Sequence, residues 1–234
     1  MNIYQIVEGC KLGARSANKT KIASHMEYKQ HPTYMSVSAM EESMLLKILA
    51  QNYESGVPSF IHECFNIDAF ALVFDIDGPP NAKNIENILK PMYAAVREIF
   101  ETSDGSNFNC VVFTASSENK MSYHIHWPDI IVNKSMMERV YNTVFRNDSS
   151  MRDFVDFQVS KNCKLRMAFS DKWDRVTGGE AGRTLKYFGA YNNNGVAGKR
   201  YFPDFEASTY ELLLKARVRR SEGTSLSKTC KNTT

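Results

Sequence analysis

Two acidic residues follow directly after an apolar stretch of the chain. Residues 69–74 read AFALVF, and Asp75 and Asp77 come next with a single residue between them. In a strand, this spacing sends both carboxylates to the same face. Two like charges beside an apolar core are costly unless a proton or a cation compensates them, and Mg²⁺ and Mn²⁺ prefer oxygen ligands of this kind. The pair therefore predicts a divalent metal site, with a strand end that bonds a turn at Gly78 as the alternative.

Polar and apolar residues alternate in a second segment, from Lys120 to Trp127. A strand with this alternation has one polar face and one apolar face. On the polar face, Lys120, Ser122 and His124 offer a cation and two hydrogen-bond donors, which suits a triphosphate. A solvated strand face would have the same pattern, so this segment by itself leaves both interpretations open.

An acid and an arginine lie among apolar residues further along the chain. Asp156 and Arg166 each stand between two apolar neighbours. Charged groups in apolar strands need partners. The simplest arrangement pairs these two side chains with each other, and a shared functional site is the alternative.

Alternating strands and helices must position these residues. Helices are predicted from the capping box at Ser38 and Glu41 onward, over about 82–101 with Pro91 expected to kink or divide it, over about 134–146, and over 207–217. Strands are predicted over 69–74, over 110–114 and 121–127 as a hairpin, and over 154–159 and 165–169. The order indicates an α/β fold of two small mixed sheets that line one cleft, with helices packed outside.

Composition favours a globular protein inside a cell. The chain has 234 residues, of which 43% are hydrophobic and 24% charged, and this excludes a wholly disordered chain. The N-terminus lacks the basic start and apolar stretch of a signal peptide, and no run of about 18 apolar residues predicts a membrane span. The five cysteines are odd in number and far apart, which favours free thiols over disulfides or a zinc site. The net charge of +3 excludes nothing.

Taken in order, the three segments resemble the motifs of archaeo-eukaryotic primases, particularly the branch that holds the PrimPol enzymes and the primases of herpesviruses and other large DNA viruses. That family has a hydrophobic strand ending in Asp-x-Asp or Asp-x-Glu, as at 73–77. A Ser-x-His motif with a Lys two residues before it follows, as at 120–124. The third motif is a hydrophobic-Asp pair, then Leu-Arg and a Lys, as at Asp156, 165–166 and Lys172.

Two features of the sequence differ from that branch. Val159 and Ser160 stand where the branch often has Val-Tyr, and no zinc-binding Cys/His module follows the motifs in this sequence. We accordingly predict no zinc.

The resemblance implies a nucleotidyltransferase, a DNA-dependent primase or polymerase that makes or extends primers on single-stranded DNA. It implies a two-sheet core of which one sheet is RRM-like. Asp75, Asp77 and Asp156 would hold two Mg²⁺ or Mn²⁺ ions that activate a 3′-hydroxyl and stabilise the leaving pyrophosphate. The incoming NTP or dNTP would be contacted by Lys120, Ser122, His124, Arg166 and Lys172.

The distribution of basic and Ser/Thr residues, together with the resemblance, predicts a domain organisation and partners. We expect a basic N-terminal arm over 1–35, a primase-like catalytic domain over 36–218, and a basic, Ser/Thr-rich tail or linker over 219–234. A helicase domain or a primase large subunit is an expected partner, at sites of DNA replication. Six basic residues would contact template phosphates, namely Arg15, Lys19, Lys21, Arg217, Arg219 and Arg220. The alternative is that they form ordinary solvated surface.

Three other functions fit parts of the pattern. A haloacid-dehalogenase-like phosphatase would use Asp75 as its nucleophile. A His-hydrophobic-His replication nuclease would use His124 and His126 as metal ligands, with Tyr187 or Tyr191 as the nucleophile. A non-catalytic RRM-like module would bind nucleic acid through aromatic residues, without a need for metal.

Overall fold

A computed structural model describes most of the chain. The described residues are 5–6, 9–10, 25–27, 33–65, 68–100, 108–157, 159, 164–174, 176–180, 182–192, 207–220 and 224–230. Arg15, Lys19 and Lys21 of the predicted basic arm lie outside these residues, as does Ser160. The described residues form two four-stranded sheets, a two-stranded hairpin and four α-helices.

The strands pair in two separate sheets. The first sheet has the order β2-β1-β3-β7 and consists of β1 (His25–Glu27), β2 (Thr33–Met35), β3 (Ile61–Cys64) and β7 (Lys164–Arg166). The second has the order β10-β5-β6-β4 and consists of β4 (Phe70–Gly78), β5 (Cys110–Thr114), β6 (Met121–Val132) and β10 (Lys186–Tyr191). The hairpin consists of β8 (Trp173–Asp174) and β9 (Gly179–Glu180). The α/β class is confirmed, but every pairing of these strands is antiparallel, where mixed sheets were expected.

Four α-helices accompany the sheets, and their positions agree with the sequence pattern. They are α1 (Ala39–Glu54), α2 (Ile85–Ile99), α3 (Lys134–Asn147) and α4 (Thr209–Ala216). The capping box predicted at the start of α1 is confirmed, because Ser38 N donates to Glu41 Oε2 at 2.8 Å and Glu41 N donates to Ser38 Oγ at 3.4 Å. Among the described helices, none combines the length and apolar character that crossing a membrane requires.

The second helix is not divided at Pro91, and of the two expectations only a kink there stays a prediction. Helix α2 runs without interruption from Ile85 to Ile99, with Pro91 buried inside it. Proline removes one hydrogen bond of the helix. The neighbours Leu89 and Met92 are fully buried in the main core, and packing of this apolar face outweighs the loss of that bond.

The strands expected near the third acid are largely replaced by other structure. Ser149–Asp153 form a 3₁₀-helix, and of the described residues in 154–159 only Val155 makes a bridge, with Ile76. This 3₁₀-helix precedes the predicted strand, and its turn continues into it, because Phe154 N and Val155 N both donate to the Met151 carbonyl, at 3.2 and 3.1 Å. Strand β7 ends at Arg166 rather than at 169.

The hairpin of β5 and β6 is confirmed, and β6 is longer than predicted. Strand β6 continues to Val132 through Pro128, where the register against β4 shifts between Ala71 and Leu72. Proline is tolerated at such an irregularity because it has no N–H to give to the ladder.

The second sheet separates two apolar clusters. Phe74, Trp127 and Tyr141 are fully buried in the cluster under α2 and α3, where the Tyr141 hydroxyl donates to the Val73 carbonyl at 3.1 Å. On the other side of the sheet, Phe113 belongs to the cluster formed with α1 and α4. Both faces of strand β4 are buried, since Ala71 and Val73 are as inaccessible to solvent as Leu72 and Phe74, as its continuous apolar sequence indicates.

Part of the predicted tail packs against the domain. Ser227 N donates to the Ile131 carbonyl and Ile131 N donates to Ser227 Oγ, both at 2.8 Å. Cys230 N donates to the Ile99 carbonyl, also at 2.8 Å. Strands β1 and β2 likewise lie in the predicted basic arm. The boundaries at residues 35 and 218 remain predictions.

A methyl group at Gly78 would collide with the segment that carries Asp156. A Cβ built at Gly78 lies 2.7 Å from Phe154 Cδ1 and 3.0 Å from Met121 Cε. We expect Gly78→Ala to lower the free energy of unfolding by about 1–3 kcal/mol, which urea titration measures. In a Phe154→Leu background the added methyl should cost less, and an equal cost in both backgrounds would contradict the collision.

Candidate active site

The register of β4 and β6 places the first two motifs opposite each other. Asp75 pairs with His124, and Asp77 pairs with Ser122. Directly opposed residues of antiparallel strands point to the same face, so the four side chains share one surface of the sheet. The polar pattern of both strands therefore serves one site.

The third acid is fixed to β4 through the backbone. Asp156 N donates to the Asp75 carbonyl, and Asp77 N donates to the Phe154 carbonyl, both at 2.8 Å. These bonds flank the bridge between Ile76 and Val155 and extend the sheet beyond β4. Asp156 thus lies opposite Asp75, on the side away from His124.

A cavity of about 290 Å³ opens at this point and is lined by strands of both sheets. The predicted catalytic and nucleotide-binding residues all line it, namely Asp75, Asp77, Asp156, Lys120, Ser122, His124, Arg166 and Lys172. Sequence analysis missed four further polar or aromatic lining residues, which are His62, Lys164, Trp173 and Arg183. Trp173 and Lys164 adjoin predicted segments, whereas His62 and Arg183 carried no signal.

The basic side of the cavity belongs to β7 and the loop after it. Arg166 pairs with His62 across the first sheet, and its guanidinium donates to the Arg183 carbonyl at 2.8 Å. Asp171, which is buried, accepts the Ser59 N–H at 2.9 Å and also bonds the Thr184 hydroxyl. These bonds hold the chain on either side of Lys172.

Two contacts already join acids to neighbouring donors. Lys120 Nζ lies 2.5 Å from Asp77 Oδ2, and His124 Nε2 lies 3.4 Å from Asp75 Oδ1. The Asp75 carboxyl is only 19% exposed. Its pKa is raised from 3.8 to about 7, first by burial and then by the charges of Asp77 and Asp156, against which Arg166 and Lys120 act.

The histidines of the cavity stay neutral. Burial lowers the pKa of His124 well below its ordinary value, and the charge of Arg166 lowers it further. Burial likewise lowers the pKa of His62 to about 3. Neutral imidazoles leave Lys120, Arg166 and the other basic side chains as the cations of the cavity.

Lys172 is destabilised in its charged form. Lys172 is exposed to solvent, but partial desolvation and then the charges of Arg183 and Lys120 lower its pKa. An anion bound in the cavity would offset this repulsion and would accept hydrogen bonds from the Lys172 ammonium in place of water. The basic side is thus suited to phosphate groups.

The basic cluster at the end of the domain is engaged within the protein. Arg217 donates to Glu42 Oε2 at 2.7 Å, and Arg220 donates to the carbonyls of Arg217 and Pro128, each at 2.7 Å. The Arg219 N–H donates to the buried carboxylate of Glu63 at 2.8 Å. These bonds brace the chain after α4, and contacts from this cluster to a template remain a prediction.

The residues proposed for a nuclease do not share one open site. His126 is 1% exposed, packs edge-on against Phe113, and is absent from the cavity lining described above. Tyr187 and Tyr191 lie on β10, at the opposite edge of the second sheet from β4.

The carboxylate oxygens at the cavity are the type of ligand that a hard divalent cation prefers. Three carboxylates line it, and after burial the charges of Asp77 and Asp156 contribute to the raised pKa of Asp75. Within the described residues, no three acidic, histidine or cysteine side chains are already drawn together around one point. The Lys120 ammonium is paired with the Asp77 carboxylate, so a metal ion bound to that carboxylate would displace the ammonium.

Comparison with known proteins agrees with the motifs. No curated protein matches the chain. The family model of the C962R protein N-terminal AEP domain matches residues 24–181, about two thirds of the chain. The match spans the strands of the cavity and its motif residues from Asp75 to Lys172, and the resemblance to archaeo-eukaryotic primases is confirmed. The chain therefore belongs to the family of the C962R protein N-terminal AEP domain, within the archaeo-eukaryotic primase superfamily.

Proposed function

We propose that this protein is a DNA-dependent primase or polymerase, which transfers nucleotides from NTP or dNTP to a 3′-hydroxyl on a single-stranded DNA template. Its family supports a primase- or polymerase-type nucleotidyltransferase, and such domains generally use divalent metals. The observation that carries the proposal is one cavity lined by three carboxylates and several cations. An RRM-like binding module needs no such carboxylates, and the family match favours a nucleotidyltransferase over a phosphatase.

The acids and the cations come from different elements. Asp75 and Asp77 belong to β4 and Asp156 is bonded to β4, whereas Arg166 is on β7 and Lys172 is in the loop after it. This division suits a nucleoside triphosphate, with its phosphates on the cations and its α-phosphate toward the acids. Bound Mg²⁺ or Mn²⁺, held by the three carboxylates, would supply Lewis-acid activation of the hydroxyl and charge stabilisation of the pyrophosphate.

Other residues of the cavity would position the nucleotide. Ser122 is fixed by its backbone N–H, which donates to Ser116 Oγ at 2.9 Å, so that its own hydroxyl is held at the cavity. His124, being neutral, can donate a proton in a hydrogen bond without adding charge. Lys120 Nζ lies 2.5 Å from Asp77 Oδ2, and with a cation held by the carboxylates its ammonium would be available to neutralise phosphate charge.

The acids should be required for nucleotide incorporation. We expect the Asp75→Asn, Asp77→Asn double variant to lose at least about 100-fold of the incorporation of labelled nucleotides on primed and unprimed single-stranded DNA, with Mg²⁺ or Mn²⁺. Asp129→Asn, on an exposed part of β6, is the matched control and should keep full activity.

Products that persist in the double variant would contradict the proposal. Binding of single-stranded DNA by the wild-type chain, with no incorporation under either metal, would instead favour the non-catalytic binding module. Phosphatase turnover that depends on Asp75 would favour the phosphatase.

The buried Asp75 carboxyl should make stability depend on pH. Because its pKa rises from 3.8 unfolded to about 7 folded, stability is full below pH 4 and falls as pH rises to 7, by up to about 4 kcal/mol. Asp75→Asn lacks this loss and should be the more stable protein at pH 8 without metal, in urea titrations from pH 4 to 8. At pH 8, added Mn²⁺ should stabilise the wild type and not the variant. Parallel pH profiles of the two proteins would show that Asp75 is not so perturbed.

Lys172 should act on nucleotide binding. We expect Lys172→Gln to raise the KM for the nucleotide about tenfold, since one charge-assisted contact to phosphate is lost. Lys134→Gln, an exposed lysine at the start of α3, is the matched control. Steady-state kinetics with both variants measure the effect, and an unchanged KM in Lys172→Gln would remove the residue from the nucleotide site.

A further inference from the structure

A bulge in β10 turns an aromatic side chain out of the sheet. Tyr187 pairs with Phe113 and Gly189 pairs with the adjacent Val112, so Phe188 is the extra residue between them. Bulges of this kind redirect a side chain and are common beside active sites. Phe188 is 37% exposed, which costs apolar burial without a benefit to the core.

Phe188 meets a second aromatic residue at the active-site end of β6. Its ring lies 5.6 Å from that of Tyr123 in an edge-to-face arrangement. Tyr123 stands between two residues of the active-site cavity, Ser122 and His124, but on the opposite face of the strand. Tyr123 packs against the main core, so the aromatic pair has a rigid base.

These two rings line a groove that adjoins the active site. The groove has a volume of about 400 Å³ and is also lined by Lys83, Asn84, Lys120 and one acid, Glu86. Lys120 lines the active-site cavity as well, so this side chain is common to the groove on one face of the sheet and the cavity on the other.

The lining of the groove suits one kind of ligand. Flat aromatic faces stack on bases of any sequence, lysines bind phosphates, and amides bond to base edges. A lone nucleotide would use only part of an open groove, whereas a strand that continues into the active site would use all of it.

We propose that this groove, defined by Tyr123, Phe188 and Lys83, holds single-stranded DNA, with a base stacked on Phe188 beside the active site. The inference rests on the proposed function, because it names where that function would hold its nucleic acid. Lys83 Nζ now lies 2.6 Å from Asp148 Oδ2, so its charge is partly neutralised until a phosphate competes for it.

Equilibrium binding of a fluorescein-labelled oligo-dT 12-mer tests the groove, measured by anisotropy in EDTA without nucleotide. We expect Phe188→Leu, which keeps an apolar side chain but removes the ring, to weaken binding about fivefold or more. Phe188→Trp should restore wild-type affinity. Leu214→Ala is the control, since Leu214 is 40% exposed on α4 and should have no effect.

Asp148→Asn adds a gain-of-function test. The amide keeps an oxygen for the Ser150 N–H but frees the charge of Lys83, so binding should tighten and its salt dependence should steepen. Urea midpoints equal to that of the wild type show that each variant is folded.

Equal affinities of Phe188→Leu and wild type would overturn the stacking role, and no oligonucleotide binding by the wild type would overturn the whole groove. An unchanged affinity of Asp148→Asn would overturn the role of Lys83. Incorporation assays on the same proteins separate this inference from the proposed function. If nucleotides are incorporated but oligonucleotide binding does not depend on Phe188, the groove alone is overturned. If binding depends on Phe188 but no nucleotides are incorporated with either metal, only the polymerase function is overturned.

Discussion

The antiparallel register between β4 and β6 sets Asp75 against His124 and Asp77 against Ser122. A slip of one residue would send both acids to the face covered by α2 and α3, where Phe74 and Ile76 are fully buried. Apolar burial on that face therefore decides which way the acids point. The third acid follows from the same strand, because Asp156 and Phe154 are bonded to the β4 backbone.

Neither the carboxylates nor the cations of the cavity are fully compensated by opposite charges. The Asp75 carboxyl is largely buried beside two other carboxylates, and Lys172, although exposed, lies beside other cations. Under the proposed function, a bound cation and a bound polyphosphate would relieve both arrangements. A protein selected for stability alone would have no reason to keep them, whereas a site that binds a metal nucleotide gains affinity from both.

Several elements were predictable because their causes are local. The apolar run of β4, the capping box of α1 and the alternation in β6 each depend on residues a few positions apart. Local signals failed where tertiary packing outweighed them. Pro91 remains inside α2 because its neighbours are buried, and the segment after α3 forms a 3₁₀-helix and a single bridge instead of a strand.

The sequence by itself determined the candidate chemistry, because Asp75, Asp77, Lys120 and the other motif residues have types and spacings that limit what they can do. Only the tertiary structure decided which of them meet. His62 joins the cavity through pairing of β7 with β3, and Arg183 through its carbonyl, which accepts a hydrogen bond from the Arg166 guanidinium; neither contact follows from local spacing. The exposure of Phe188 likewise depends on a bulge between β10 and β5, strands some seventy residues apart in the chain, where pairing geometry and not local propensity sets the side chain's direction.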